Sequence, residues 1–152
     1  MKILICTDGS EHSNKALEKA SIIAEGCNAT QVVIIHVYEE NLNITAIPYG
    51  EGYVPSNADL ELFKKKIEEY VEERKQILSE ALKVFEEKNI EATTTLKQGH
   101  PAKTIVEFAY EKGFDMIVLG SRGFGGWKKR ILGSVSSAVV QEAKNCTVVI
   151  VK

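Results

Sequence analysis

Two runs of this chain, Ile3-Leu4-Ile5-Cys6 and Val32-Val33-Ile34-Ile35, are apolar at every position rather than at every second one. A strand with one wet face alternates, so a strand that does not alternate is covered on both faces, which is the condition of a parallel sheet packed between helices. Lys2 to Thr7 and Gln31 to Tyr38 therefore read as the first two strands. Between them Ala16, Leu17, Ala20, Ile23 and Ala24 recur at helical spacing, which predicts a helix from about Ser10 to Glu25 with Gly26 as its stop.

The same alternation continues. Residues 39–57 form a long connection with Pro48, Gly50, Gly52 and Pro55 and no clear period. Connections of that length are functional or mobile; Tyr49 and Tyr53 are candidates to cover a ligand, the other reading being a surface insertion. Ser56 and Asp59 have capping-box spacing. Leu60, Phe63, Ile67, Tyr70, Val71, Leu78, Ala81, Leu82 and Phe85 then lay an apolar stripe along a helix from Asp59 to Lys88, under a densely charged opposite face. Asn89 is a left-handed stop, and Glu91 to Lys97 a third strand. Pro101 opens a helix that Gly113 closes. Met116 to Leu119 is the fourth strand, Val135, Ala138, Val139 and Ala143 mark the last helix, and Thr147 to Val151 is the last strand. Strands alternating with helices predict an α/β fold of three layers, α/β/α, around an open, doubly wound parallel sheet of five strands.

At 152 residues and 44% hydrophobic, residues 1–152 suit a single domain with a real core. A net charge of −2 gives no global pull toward nucleic acid or an anionic membrane. Asp8 cuts the apolar start of the chain far short of a signal-peptide core, and no stretch is long enough to span a bilayer. The three cysteines, Cys6, Cys27 and Cys146, are odd in number and widely spaced, which argues against a disulfide framework or zinc site and for buried thiols in a reduced, cytoplasmic protein. His36 sits inside an apolar strand, where a histidine is more often packed than catalytic, and neither His12 nor His100 has a neighbour at ligand spacing.

Function concentrates in one stretch. The fourth strand runs into Gly120-Ser121-Arg122-Gly123-Phe124-Gly125-Gly126, a basic patch at Lys128-Lys129-Arg130, and Gly133-Ser134-Val135-Ser136-Ser137. Glycines permit positive φ and let backbone N–H groups approach a ligand closely, while a following helix adds unpaired donors and the positive end of its dipole. Ser134 or Ser136 can supply a hydroxyl and a cap. This is the build of a phosphate site, the bland alternative being a loop whose glycines merely turn the chain. It is neither a Walker loop, lacking Gly-Lys-Ser/Thr, nor the dinucleotide spacing Gly-x-Gly-x-x-Gly. Asp8, before Gly9-Ser10, reads equally as an Asx turn or cap and as an acceptor for a ligand.

The spacing Gly120-x2-Gly123-x9-Gly133-Ser134, with Ile5-Cys6-Thr7-Asp8 at the start and Val148-Val149-Ile150-Val151 at the end, resembles the nucleotide-binding signature of the universal stress protein family, in its ATP-binding branch. The resemblance covers essentially the whole chain. It implies the adenine nucleotide alpha hydrolase-like strand order 3-2-1-4-5, so that Asp8 and Gly120 meet where the winding reverses. It implies ATP as ligand: Cys6 and Thr7 on the adenine side, Val37 as an apolar wall, and Asp8 as acceptor for ribose or adenine. Gly120, Ser121, Arg122, Gly123, Phe124, Gly125 and Gly126 would wrap ribose and phosphates, and Gly133, Ser134, Val135 and Ser136 complete the phosphate seat. Arg122, Lys128, Lys129 and Arg130 either screen phosphate charge or are exposed solubility residues. Mg²⁺ or Mn²⁺ is expected on the phosphates rather than in a protein cage. No base or transition-state arginine is identifiable near the loop, so slow or partner-dependent ATP hydrolysis is expected, with ATP serving as a state marker in stress signalling. Val148 to Val151, an edge in that order without proline or charge, implies a homodimer through this strand, and a signalling partner of unknown identity.

Three rivals share parts of this pattern. A phosphorylation receiver needs an acidic pair after the first strand and an acceptor Asp after the third, where this chain has Asp8 alone and Lys97-Gln98-Gly99. A nucleotidyl transferase or ATP pyrophosphatase needs a further motif on the first turn, which Asp8-Gly9-Ser10-Glu11-His12-Ser13 does not supply. A nucleotide-free interaction protein of the same fold would have no use for the glycine signature.

Overall fold

The computed structural model describes residues 1–39, 54–123 and 132–152. Within them the chain runs β1 (Lys2–Cys6), α1 (Glu11–Gly26), β2 (Gln31–Tyr38), α2 (Asn57–Glu86), β3 (Thr93–Gln98), α3 (Pro101–Lys112), β4 (Met116–Gly120), α4 (Ser134–Glu142) and β5 (Thr147–Val151). The strands form one sheet in the order β3-β2-β1-β4-β5, every pairing parallel. Each crossover helix covers a face, which makes the unbroken apolar runs affordable. Ile3, Ile5 and Ile34 pack with Ala16, Leu17, Leu78 and Phe85 from α1 and α2, while Leu4, Ile35 and Ile117 pack with Ile105, Ala109 and Val139 from α3 and α4. Alternate residues of one strand thus feed two cores.

Helix ends follow local chemistry. Ser10 caps α1, its side chain accepting from the Ser13 amide at 3.3 Å. At α2 the box closes in both directions: Ser56 accepts from the Asp59 amide and the Asp59 carboxylate accepts from the Ser56 amide. Pro101 opens α3 and Gly113, at φ 65°, ends it. Asn89 is left-handed, as expected at φ 55°, but the first helix runs through Gly26, and the left-handed residue after it is Asn28 at φ 48°.

The expected apolar stripe of α2 is buried over only half its length. Thirty residues make a helix of about 45 Å, whereas the eight residues of β2 span about 27 Å. Ile77 stands over Gly9 at the end of β1, and Tyr70 packs edge-on against Tyr38, the last residue of β2, at 5.8 Å. Residues 57–69 therefore rise past the sheet, with Leu60 53% and Ile67 37% exposed, while Leu78, Ala81 and Phe85 lie in the core. The thiols also differ from expectation: Cys6 is buried, but Cys146 is half-buried and Cys27, just past the end of α1, is exposed. No helix among the described residues is long and apolar enough to cross a membrane.

Candidate functional site

The winding reverses between β1, which pairs with β2 on one side, and β4, which pairs with β5 on the other. Chains leaving these strands diverge to opposite faces, and the gap above them is where an α/β sheet receives a ligand. Asp8 stands at the β1 side. One carboxylate oxygen, Oδ1, accepts from the Ser10 amide at 3.0 Å, an Asx turn that fixes the side chain. The other, Oδ2, faces Gly123, and a Cβ on Gly123 would fall onto it. Asp8 thus forms the expected Asx turn with one oxygen and presents the other to the glycine loop, while Ser10 is the cap.

The glycines divide by task. Among the described residues the glycines with positive φ are Gly9, Gly99 and Gly113. None belongs to the signature, in which Gly120 and Gly123 serve close approach instead, while a Cβ on Gly133 would meet only ordinary contacts, the nearest at 3.5 Å. A Cβ on Gly120 would lie 2.7 Å from the His12 carbonyl carbon and oxygen and 2.9 Å from the Ser13 amide. Gly120 therefore lets the end of β4 touch the first turn of α1; its bareness is used by the fold. Gly123, exposed, borders Asp8. Gly133, at φ −73°, is the N-cap of α4, with no side-chain cap bond.

Main-chain bonds close the loop at its base. The Ser121 amide donates to Val151 at 2.6 Å, and the Ser121 carbonyl accepts from the Gly133 amide at 2.8 Å. The Ser136 hydroxyl donates to that same carbonyl at 3.0 Å and to the Gly133 carbonyl at 3.1 Å. Ser136 is buried and ties the loop; it is not the cap of α4 that its position suggests. The first amide inside α4 to find a helical acceptor is that of Ser137, which donates to Gly133. The amides of Ser134, Val135 and Ser136 lack an intrahelical acceptor, and the Ser134 hydroxyl is exposed beside them.

The remaining candidates sort by face. Cys6 is 8% exposed and packs in the core under α3 and α4, with Val37 at the margin of the same cluster. Burial pushes the Cys6 thiol pKa up, which keeps it protonated and unreactive as a nucleophile. The Thr7 hydroxyl is turned the other way, donating to Ser13 Oγ at 3.2 Å and accepting from the Gly9 amide at 3.2 Å. The Thr7 amide in turn donates to the Ile35 carbonyl at 3.0 Å, so its hydroxyl and its main-chain N–H are both used within the fold. Arg122 is half-buried next to Gly133. Phe124, Gly125, Gly126, Lys128, Lys129 and Arg130 lie outside the described residues, as do Tyr49 and Tyr53. Among the described residues no group of three or more His, Cys, Asp or Glu stands together as a metal site.

From the sequence His36 reads as a packed or edge residue more often than a catalytic one, and it is packed. It is buried, and its Nδ1 lies 2.7 Å from the Thr7 carbonyl, across the two strands that flank the turn. Burial holds the imidazole pKa below its ordinary value, a shift that the bond to Thr7 opposes and the nearby Arg74 reinforces. Nothing local in the sequence signals this contact, which joins residues 29 apart.

A parallel five-stranded sheet whose winding reverses between β1 and β4, with Asp8 and the glycine loop at the reversal, defines the class: an open, doubly wound α/β domain. Comparison with known proteins gives the family. The model of the universal stress protein family matches residues 1–152, and the chain belongs to that family. Universal stress protein YxiE of Bacillus subtilis is 37% identical, over 99% of this chain and 98% of its own length. The solved structure of MJ0577, a universal stress protein of Methanocaldococcus jannaschii, is 29% identical with a TM-score of 0.70, covering 99% of this chain and 94% of that one. A universal stress protein from Archaeoglobus fulgidus, solved in complex with dAMP, shares the fold at 22% identity and a TM-score of 0.64, over 100% of this chain and 98% of that one.

Proposed function

We propose that this universal stress protein binds ATP in the gap between β1 and β4 and acts as a nucleotide-dependent module in a stress response. The observation that carries the reading is the apposition of Asp8 Oδ2 and Gly123. A carboxylate accepts hydrogen bonds from ribose hydroxyls or a base amine and repels phosphate; a bare loop and a helix start donate to phosphate. The two sides of the gap therefore suit the two ends of a nucleotide. Gly120 to Gly126 would wrap ribose and phosphates, with the amides of Ser134, Val135 and Ser136 and the Ser134 hydroxyl completing the seat. Cys6 and Val37 would offer an apolar wall for the base, and a relative solved in complex with dAMP supports an adenine nucleotide as the ligand. When bound, Mg²⁺ or Mn²⁺ supplies countercharge to the phosphates; this chain's part is to orient them.

Slow turnover at most is part of this reading. Cytoplasmic residence is part of the same reading. So is a homodimer through β5, whose Val148, Val149, Ile150 and Val151 are half-buried and form one edge of the sheet. The test is to purify the protein under native conditions, denature it and identify what is released, then titrate ATP with Mg²⁺ calorimetrically. Release of adenine nucleotide, or saturable heat on titration, is the expected result. The absence of both would overturn the reading.

A further inference from the structure

We infer that His36 is a positioning residue for the nucleotide gap: its imidazole anchors the main chain from which Asp8 projects. The inference rests on the nucleotide reading for its consequence, and on the geometry alone for the anchor. The ladder between β1 and β2 pairs residues as far as Cys6 and Ile35, and the Thr7 amide still donates to the Ile35 carbonyl at 3.0 Å. Beyond that point the Asx turn takes the β1 chain away from β2. The Thr7 carbonyl, in a buried residue, would lose its partner there, and an unsatisfied buried carbonyl is costly.

The His36 ring fills the vacancy at 2.7 Å. A carbonyl only accepts, so Nδ1 carries the proton and the neutral ring leaves Nε2 bare. This bond sits one peptide before Asp8. The Thr7 residue it holds also accepts from the Gly9 amide and donates to Ser13 of α1, while α2 closes the turn from behind with Ile77 against Gly9. The Asp8 carboxylate reaches Gly123 from a turn braced on three sides, and His36 is the brace supplied by β2. Removing the donor frees the Thr7 peptide to rotate, and the carboxylate is no longer held against the loop.

The experiment compares His36→Leu, which removes the donor, with His36→Asn, whose side-chain amide places a nitrogen where Nδ1 stands. In nucleotide-free protein, amide exchange at Gly9 and Ser10 is measured against Ala109 of α3 as reference. His36→Leu should speed exchange at both amides and weaken ATP binding by roughly five- to tenfold, the worth of one buried hydrogen bond, and His36→Asn should restore both. A merely structural role would lower stability in both variants without this split. Equal exchange in His36→Leu and wild type, or equal behaviour of the two variants, overturns the inference. If wild type binds no ATP, the nucleotide reading fails, and exchange still decides the anchor. Should His36→Leu not fold, the ring ¹⁵N shifts of wild type decide instead: a protonated Nδ1 with bare Nε2 is expected, and the opposite tautomer overturns the assignment.

Discussion

Gly120→Ala should destabilise the protein even though Gly120 belongs to a loop whose glycines read as ligand contacts. The added Cβ would sit 2.7 Å from the His12 carbonyl and 2.9 Å from the Ser13 amide, both backbone atoms, where ordinary carbon contacts lie near 3.5 Å or beyond. The first turn of α1 cannot retreat freely, because the Ser13 amide donates to Ser10 Oγ and the Ser13 hydroxyl donates to the Ser10 carbonyl. Overpacking of this kind costs about 1–3 kcal/mol, and the stiffer unfolded chain returns about 0.4–1 kcal/mol. A net loss of about 1–2 kcal/mol corresponds to a fall in Tm of roughly 2–8 °C for a chain of this size. Gly26→Ala supplies the contrast, since nothing lies within 4 Å of its Cβ position and the residue is helical. It should gain roughly 0.5–1 kcal/mol. Urea unfolding with unchanged slope measures both. Gly120→Ala as stable as wild type would refute the claim that this glycine serves the contact of β4 with α1.

Phe85→Ala should cost about 3–5 kcal/mol in urea unfolding, because the ring is fully buried, whereas Ile67→Ala, on the part of α2 past the sheet, should stay within about 0.5 kcal/mol; similar losses for the two would contradict the placement of the overhang. The depressed His36 pKa makes the unfolded chain bind the extra proton first, so stability should be flat above pH 6.5, fall as pH drops below it, and level off below the folded-state pKa; His36→Asn should lack that component, and an identical pH profile would count against it. Val149→Lys sets a charge at the β5 edge and should shift sedimentation toward monomer; an unchanged coefficient would refute pairing through that edge.

Much of the fold was legible because its signals are local. The bounds of β2 and β5 follow from where the apolar runs begin and stop, and Pro101 with Gly113 brackets α3 without reference to any other residue. What escaped was set by distance in the fold. Periodicity says which side of α2 is apolar but not how tall the sheet beside it is, so Leu60 and Ile67 read as core and stand exposed. Cys27 read as buried because its type usually is, yet it falls just past the end of α1. In the site, the glycine pattern marked the loop after β4, and the family resemblance implied the strand order that brings Asp8 opposite it. The pattern could not separate Gly120, bare for a helix contact, from Gly123, bare opposite a carboxylate, nor turn Thr7 away from the gap toward Ser13. Ser136 read as a cap or a phosphate ligand, and its hydroxyl instead bonds two carbonyls of its own loop.

The central claim is that bare main chain facing Asp8 holds an adenine nucleotide, and Gly123→Val tests it most directly. Valine there would displace the Asp8 carboxylate and fill the approach to the loop, while Gly123 is exposed and supports no core contact. Calorimetric titration with ATP and Mg²⁺ should show affinity at least roughly tenfold weaker than wild type, with Tm changed by no more than about 2 °C. Wild-type affinity in a protein carrying Val at that position would contradict the account.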